Sequence, residues 1–260
     1  MNTLALSGTV WLASDIHLGA HGPRTARAFF RFLEAARQQA DALILCGDLF
    51  DAWIGDDYAL RQPPAWLLAA LQALGGTAAV VPLYLMHGNR DFLMGPALAH
   101  RLGARLLAAP VRLQTDAGLL LLAHGDEYCV DDSAYQRLRR IVRQPWLQRL
   151  FLGLPLAWRR AIARRARLHS QRAQRAKTLQ IMDVNEQAVV EALQAAGCTT
   201  LVHGHTHRPA VHTFQIHGTP AQRYVLPDWE HDQPGSPRGG WISIDRRGLA
   251  RHDSREFDPA

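Results

Sequence analysis

The sequence predicts an α/β fold in which parallel strands alternate with helices. Helical apolar patterns occur between strand-like runs, for instance behind Pro23 and in the stretch that ends at Gly197. The strand-like runs are short and β-favouring, and most are apolar enough to be buried on both faces; they are Val10–Ala13, Ala42–Cys46, Ala79–Met86, Leu119–Ala123 and Thr199–Val202. Strands that alternate with helices in this way form βαβ units. The economical architecture is therefore an α/β sandwich.

Two regions depart from this alternation. After His207 the chain shows strand-like pieces with turn residues, such as Arg223–Leu226 and Trp241–Asp245, and no helical pattern between them, which predicts a hairpin or meander. Residues 134–180 are instead helical and rich in arginine, and they lie between two strands that each precede a polar motif. We interpret them as an inserted helical cap, at about residues 131–180, in a single domain that spans residues 1–260.

Composition and charge narrow the class of protein. Hydrophobic residues make up 48% of the 260 residues and charged residues 20%, which is near the average of globular proteins. The first residues lack the pattern of a signal peptide, no apolar run approaches the roughly 20 residues of a membrane-spanning helix, and the three cysteines have no metal or redox spacing. We expect an unexported protein of a reducing compartment, with its three thiols unpaired.

The basic charge of the chain is local. Residues 134–180 contain 12 Arg, one Lys and no acidic residue, and the other 16 basic and 23 acidic residues give the rest of the chain a net charge of −7. This imbalance indicates that one region meets an anionic ligand or surface.

Polar clusters follow five of the predicted strands directly. They are Asp15-Ile16-His17, Gly47-Asp48, Gly88-Asn89-Arg90-Asp91, His124-Gly125-Asp126 and Gly204-His205-Thr206-His207. Ligands of open α/β sheets bind beyond the carboxyl ends of the strands, so these clusters can converge on one crevice. Oxygen and imidazole donors without a thiolate suit divalent transition metals. Each cluster alone could be a turn or a buried histidine, but their joint occurrence favours a metal site.

These motifs resemble those of the calcineurin-like metallophosphoesterase superfamily, which are D-x-H, GD, GN, a lone H and GHxH. The resemblance implies a four-layer α/β sandwich and two divalent cations. It implies that Asp15, His17, Asp48 and His207 hold one cation, and that Asp48, Asn89, His124 and His205 hold the other. Asp48 would then bridge the two, so that both cations polarise one water and neutralise charge on the phosphoryl oxygens.

Longer stretches resemble one family within this superfamily, the UDP-2,3-diacylglucosamine diphosphatases of lipid A biosynthesis. They include GDLFDAWIGDD at 47–57, HGNRDF at 87–92, HGDEYCVDD at 124–132 and HGHTHRPAVH at 203–212. The resemblance implies Mn²⁺-dependent hydrolysis at the α-phosphate, which gives UMP and 2,3-diacylglucosamine 1-phosphate (lipid X). It implies catalytic roles for Asp48, Arg90 and His124. Substrate contacts carry over to Asn89, Arg90, Asp132, Ser170, Lys177 and His205, and to Gln174, where the family commonly has Asn.

Arg90 stands where many members of the superfamily have a histidine that assists the leaving group. A guanidinium does not donate its proton usefully, but it can hold developing charge on a phosphate. A phosphate monoester departs as an anion and needs no proton, so Arg90 favours cleavage of a pyrophosphate over an alkyl diester.

The predicted cap combines apolar side chains with arginines. Trp146, Leu150 and Trp158 are examples of the first kind, and Arg149, Arg159 and Arg167 of the second. One interpretation is a surface for acyl chains and anionic headgroups, and the other is a helix whose apolar side faces the core. The resemblance implies a UDP-linked diacylglucosamine lipid as substrate and a monomer that associates peripherally with the cytoplasmic face of the inner membrane, without nucleic acid. Two alternatives stay open, a phosphodiesterase for nucleotides or nucleic acid and a non-catalytic binding scaffold.

Overall fold

The computed structural model of the chain describes the backbone of residues 1–175 and 183–257, and the side chains of those residues except 169–175 and 257. The strands in chain order are β1 (Thr3–Ala5), β2 (Val10–Ala13), β3 (Ala42–Leu45), β4 (Leu83–Met86), β5 (Arg105–Leu107), β6 (Val111–Thr115), β7 (Gly118–Leu122), β8 (Thr200–His203), β9 (Val211–Ile216), β10 (Thr219–Val225), β11 (Gly240–Asp245) and β12 (Gly248–Asp253). The α-helices are α1 (Pro23–Gln39), α2 (Asp56–Arg61), α3 (Ala65–Ala78), α4 (Pro96–Leu102), α5 (Ser133–Val142), α6 (Pro145–Leu152), α7 (Leu156–Arg175) and α8 (Glu186–Ala196).

The strands form two mixed sheets. The first has the order β12-β11-β2-β3-β4-β5, and β2 to β5 run parallel, with Leu12 opposite Ile44. The second has the order β1-β6-β7-β8-β10-β9, in which β7, β8 and β10 run parallel. Each of the five polar motifs follows the carboxyl end of a strand. These strands are β2, β3 and β4 of the first sheet and β7 and β8 of the second.

Four layers follow from the alternation of side chains along the strands. In β2, Leu12 faces the second sheet and packs in a core with Ile44 and Leu122, whereas Trp11 faces outward and packs with Phe32 of α1. The helices α1, α3 and α4 cover this outer face, and α8 covers the outer face of the second sheet through Leu193. The predicted four-layer α/β sandwich is confirmed.

Most of the predicted strands match the structure closely, but one was predicted too long. Residues 79–82 are not in a strand, because α3 continues to Ala78 and its end is closed by hydrogen bonds from Ala79 N to Gly75 O (3.0 Å) and from Val81 N to Thr77 O (2.8 Å). The C-terminal prediction is confirmed as two hairpins, β9–β10 and β11–β12. All three cysteines are buried.

The helices α5, α6 and α7 are here called the cap helices. They carry large exposed apolar side chains, namely Leu138, Ile141, Trp146, Leu150, Leu152, Trp158, Ile162 and Leu168. No residue of α5 or α6 is fully buried, so these two helices add nothing to the buried core, although one side of each is half-buried. Within the described ranges 1–175 and 183–257, each helix is too short or too polar to cross a membrane.

One predicted surface arginine is not on the surface. Trp158 of α7 is 64% exposed, whereas the neighbouring Arg159 is only 2% exposed. Arg159 pairs with Asp57 and donates to the carbonyl oxygens of Ile54 (2.6 Å) and Leu154 (3.0 Å). Because a buried guanidinium needs such partners, Arg159 fastens α7 to the core and offers no charge to a ligand.

Candidate metal centre

Backbone hydrogen bonds continue the β2–β3 ladder beyond the strands and bring the first two motifs together. Asp15 N donates to Gly47 O (3.1 Å), His17 N to Asp48 O (3.0 Å) and Leu18 N to Leu49 O (2.8 Å). The carboxylates of Asp15 and Asp48, which follow the ends of β2 and β3, are thereby held next to each other in the buried interior of this edge.

One group of donors consists of Asp15, His17 and His207. The Nε2 atom of His207 lies 3.2 Å from Oδ1 of Asp15 and 3.2 Å from Nε2 of His17, and the latter atom is 3.9 Å from Asp15 Oδ1. These three atoms can surround one cation. The second ring nitrogen of His17, Nδ1, is buried with no hydrogen-bond partner in the part of the chain that the structure describes, and it lies 4.0 Å from Asp48 Oδ2.

The second group consists of Asp48, Asn89, His124 and His205. The amide oxygen of Asn89 lies 3.1 Å from Nε2 of His124 and 3.0 Å from Nδ1 of His205. His124 Nε2 is also 3.8 Å from Asp48 Oδ1, and Asp15, Asp48 and His124 form a further set that could hold a cation. The structure therefore brings together all seven side chains predicted as ligands, and their role as ligands stays a prediction.

The electrostatics of the centre fit divalent cations. Burial would raise the pKa of Asp15, but the hydrogen bond from His207 and the charge of His124 hold it well below its usual range. Burial raises the pKa of Asp48. Burial lowers the pKa of His17 well below its usual range, and that of His205 to about 4, which keeps these imidazoles neutral and their lone pairs available. Asp48 raises the pKa of His124 to about 9 despite burial, and the hydrogen bond to Asp15 raises that of His207, so a cation bound there would displace a proton from each ring. Imidazoles beside buried carboxylates are a donor set for transition metals.

The backbone at this centre is unusual. Five of the seven predicted ligands have a positive φ, and they are Asp15 (57°), His17 (54°), Asp48 (52°), His205 (66°) and His207 (55°). Residues with side chains rarely adopt this left-handed region, and each such residue costs about 1–3 kcal/mol. The surrounding sheets impose these conformations, and they aim the side chains inward.

Two glycines allow the motifs to approach closely. A Cβ atom on Gly88 would clash with the side chain and the backbone nitrogen of Asp48, and a Cβ on Gly204 would clash with Asp15 and Ser14. The glycines of the GN and GHxH motifs are therefore required by packing against the carboxylates rather than by a turn.

Asp91 has a structural role that the sequence did not reveal. It is fully buried, and its carboxylate accepts hydrogen bonds from the backbone nitrogens of Gly88 (2.8 Å), Asp48 (3.3 Å), Leu49 (2.8 Å) and Phe50 (3.3 Å). Asp91 thus ties the GD loop to the GN loop. Its position directly after Arg90 was the only signal in the sequence.

Asp126 connects the centre to the cap. Its buried Oδ2 atom accepts from Tyr135 Oη (2.7 Å) and Arg139 Nε (2.6 Å), both on α5. Arg143, which caps the C-terminus of α5, donates to Gly88 O (3.1 Å), and the ring of Tyr135 stacks on that of His205 with 6.2 Å between the ring centroids. The α5 helix is therefore fixed directly over the second group of donors.

The predicted substrate contacts have different positions. Arg90 lies at the centre, with Nε 3.4 Å from Asp48 Oδ2. Asp132 is the N-cap of α5, where its side chain accepts from Tyr135 N (3.0 Å). Ser170 and Gln174 lie on α7, where the structure describes the backbone but not their side chains. Lys177 lies outside the described residues.

Comparisons with known proteins agree with this geometry. The model of the calcineurin-like phosphoesterase family matches residues 8–209. A protein of Bordetella parapertussis named UDP-2,3-diacylglucosamine hydrolase is 54% identical over 97% of this chain and 98% of its own length. Proteins of the same name from Aeromonas hydrophila (48% identity, 83% of this chain and 88% of that protein) and Klebsiella pneumoniae (46%, 86% and 92%) are also similar. The chain belongs to the calcineurin-like phosphoesterase family and, within it, to the family of these hydrolases.

Proposed function

We propose that this protein hydrolyses the pyrophosphate bond of UDP-2,3-diacylglucosamine at the α-phosphate and releases UMP and 2,3-diacylglucosamine 1-phosphate. One observation supports this above the others. The seven donor side chains converge beside Arg90, in a chain that is 54% identical to a named UDP-2,3-diacylglucosamine hydrolase over nearly its whole length.

The chain's donors would hold two Mn²⁺ ions. The residues for one would be Asp15, His17, Asp48 and His207, and those for the other Asp48, Asn89, His124 and His205. When bound, such cations make a water molecule nucleophilic at neutral pH and offset negative charge on the phosphate. The unpaired buried Nδ1 of His17 and the two imidazoles that face the Asn89 oxygen support this fit.

His124 is oriented for this role from its far side. Its Nδ1 atom is 3.0 Å from the carbonyl oxygen of Cys46, which can only accept, so Nδ1 carries the proton. Nε2 faces the amide oxygen of Asn89 (3.1 Å) and Asp48, and a cation bound there would take the place of its proton. The carbonyl of Cys46, directly after β3, thereby orients the ring so that Nε2 is the nitrogen that can bind a cation.

Arg90 would bind and stabilise the phosphate under attack. Its Nε and Nη1 atoms face Asp48 and Asp51, while Nη2 has no partner among the described residues. A guanidinium with free donors beside the centre can meet phosphate oxygens in a forked geometry. The leaving group of attack at the α-phosphate, 2,3-diacylglucosamine 1-phosphate, can depart as an anion, so Arg90 has no proton to supply.

The cap helices would bind the lipid part and the membrane. Trp146, Leu150 and Trp158 are 62–64% exposed, and the same helices carry exposed arginines such as Arg160 and Arg164. Apolar side chains among basic ones suit acyl chains and the anionic face of a bilayer. We propose that the protein acts as a monomer at the cytoplasmic face of the inner membrane.

A substrate panel tests the proposal. The purified protein with Mn²⁺ is offered UDP-2,3-diacylglucosamine, bis-(p-nitrophenyl) phosphate, a cyclic nucleotide and single-stranded DNA. We expect the lipid to be preferred and UMP to appear as product. Preference for the cyclic nucleotide or DNA would instead favour a phosphodiesterase, and no turnover of any compound would favour a non-catalytic scaffold.

A further inference from the structure

Asp51 joins the candidate active site to the cap. Its Oδ1 atom lies 3.1 Å from Nη1 of Arg90, which is at the metal centre, and 2.5 Å from Nη1 of Arg167, which is on α7. Arg167 also donates to the carbonyl oxygen of Asp51 (2.8 Å). A single carboxylate thus bridges a guanidinium of the centre and a guanidinium of the cap.

The backbone holds Asp51 rigidly in this position. Asp51 N donates to Leu18 O (3.0 Å), and this bond extends the ladder that positions Asp15 and His17. On the other side, the space above Gly19 is filled by the Asp51 side chain, because a Cβ on Gly19 would lie 3.3 Å from Asp51 Cβ. The carboxylate is therefore set by the same loops that set the donors.

The guanidinium of Arg90 is clamped between two carboxylates. Its Nε lies 3.4 Å from Asp48 Oδ2, and its Nη1 donates to Asp51 Oδ1. These contacts fix the plane of the guanidinium and leave Nη2 as the edge that can reach a ligand. Without Asp51, the 3.4 Å contact with Asp48 would be the remaining ion pair of this guanidinium among the described residues.

A second ion pair between α7 and the core provides a comparison. Arg159 pairs with Asp57, and that pair touches neither Arg90 nor any of the predicted ligands. The side chains of Asp57 and Asp51 are similarly exposed, at 38% and 32%. If Asp51 served only to hold the cap, its loss and the loss of Asp57 would have the same consequences.

We propose that Asp51 is a positioning residue, which aligns Arg90 with the phosphate and, through Arg167, makes that alignment depend on docking of the cap. The proposal rests on the proposed function, in which Arg90 contacts the phosphate. Lipid bound at the cap and charge stabilisation at the phosphate would then be linked through one carboxylate. An interaction used mainly in the transition state affects kcat, whereas a contact to the remote lipid affects KM.

Steady-state kinetics on UDP-2,3-diacylglucosamine compare Asp51→Asn with the matched control Asp57→Asn. We expect Asp51→Asn to lower kcat about tenfold with KM within about twofold of wild type, and Asp57→Asn to raise KM with kcat within about twofold. Unchanged kcat in Asp51→Asn, or the same change in kcat and KM for both variants, would overturn the proposal. In an Arg90→Ala background, Asp51→Asn should have little further effect, since Asp51 acts through Arg90; full additivity would also overturn it.

A spectroscopic measurement tests the alignment without turnover. The Nε–H signal of Arg90, assigned by its absence in Arg90→Ala, reports how restrained the side chain is. We expect a restrained signal in wild type and in Asp57→Asn, and a mobile one in Asp51→Asn; equal restraint in all three would overturn the positioning role. If wild type fails to hydrolyse the lipid while the Arg90 Nε–H signal still becomes mobile in Asp51→Asn, the proposed function fails and the positioning role stands.

Discussion

Oδ2 of Asp228 lies 3.6 Å from Nδ1 of His207, while the other ring nitrogen of His207 faces Asp15. Asp228 is 4% exposed and is itself held by Nη2 of Arg238 at 2.8 Å. The distance to His207 is longer than a hydrogen bond, yet Asp228 is the carboxylate on that side of the ring. A carboxylate behind a metal-binding histidine favours the tautomer whose lone pair points at the metal.

We therefore expect Asp228→Asn to weaken Mn²⁺ binding by about tenfold, because partners behind a ligand typically contribute that much. The measurement is a titration of Mn²⁺ in competition with a chelator. The control is Asp253→Asn, which removes another carboxylate paired with an arginine, Arg255, without a contact to a predicted ligand. Equal affinities in the two variants would show that Asp228 has no influence on the centre.

A second prediction compares two predicted ligands. Asp48→Asn should lose more activity and more bound metal than Asn89→Ala, because the Asp48 carboxylate faces both groups of donors, at 4.0 Å from His17 and 3.8 Å from His124. Asn89 contributes a neutral oxygen to one group. Metal content by mass spectrometry and activity at saturating Mn²⁺ check this, with circular dichroism as the control for folding. Wild-type activity in Asp48→Asn would exclude a mechanism with two cations.

A third prediction concerns the cap surface. Replacing Leu150 and Trp158 with Ser should raise KM for the diacylated substrate and leave turnover of a water-soluble diester unchanged, because both side chains are exposed and contribute little to the core. Phe151 is half-buried and is left intact. The control is Ser at Leu68 and Val80, which are exposed apolar residues on and beside α3. If both substrates suffer equally, the two cap residues are structural.

The fourth prediction concerns pH. The hydrogen bond from Arg159 holds the pKa of Asp57 below its ordinary value. The pair therefore contributes stability above the unfolded-state pKa of about 3.9 and loses it as pH falls through the lower folded-state pKa. In urea unfolding, wild type should exceed Asp57→Asn in stability at about pH 6, and this difference should shrink toward about pH 3. A constant difference over that range would contradict the assignment.

The sequence predicted the strands that carry the motifs because a strand buried on both faces is apolar throughout, as in Ala42–Leu45, and is followed directly by a polar ligand. It predicted edge strands poorly. Thr3–Ala5 and Arg105–Leu107 have three residues each and are partly exposed, so no apolar pattern marks them. The strand predicted from Ala79 was too long because an apolar run of Ala and Val is as compatible with the end of an α-helix as with a strand.

The supporting residues of the centre were harder to foresee than the donors. Asp91 and Asp228 act through backbone amides and a neighbouring ring, and such partners are set by tertiary packing rather than by a motif. Arg159 was predicted to be a surface charge because arginine is seldom buried. Its burial is tolerable because Asp57 and the Ile54 carbonyl, about 100 residues away in the chain, lie beside it together with the nearby Leu154 carbonyl.

The left-handed backbone of five predicted ligands affects which substitutions would stabilise this protein. At each of these positions glycine would adopt the same φ without strain, so a substitution to glycine would relieve part of the cost of folding while removing a donor. The net stability of a folded domain is only about 5–15 kcal/mol, and strain of this kind is a sizeable share of it. Selection for thermal stability alone would therefore erode this centre first, and a stabilised variant that retains activity must gain its stability elsewhere in the sandwich.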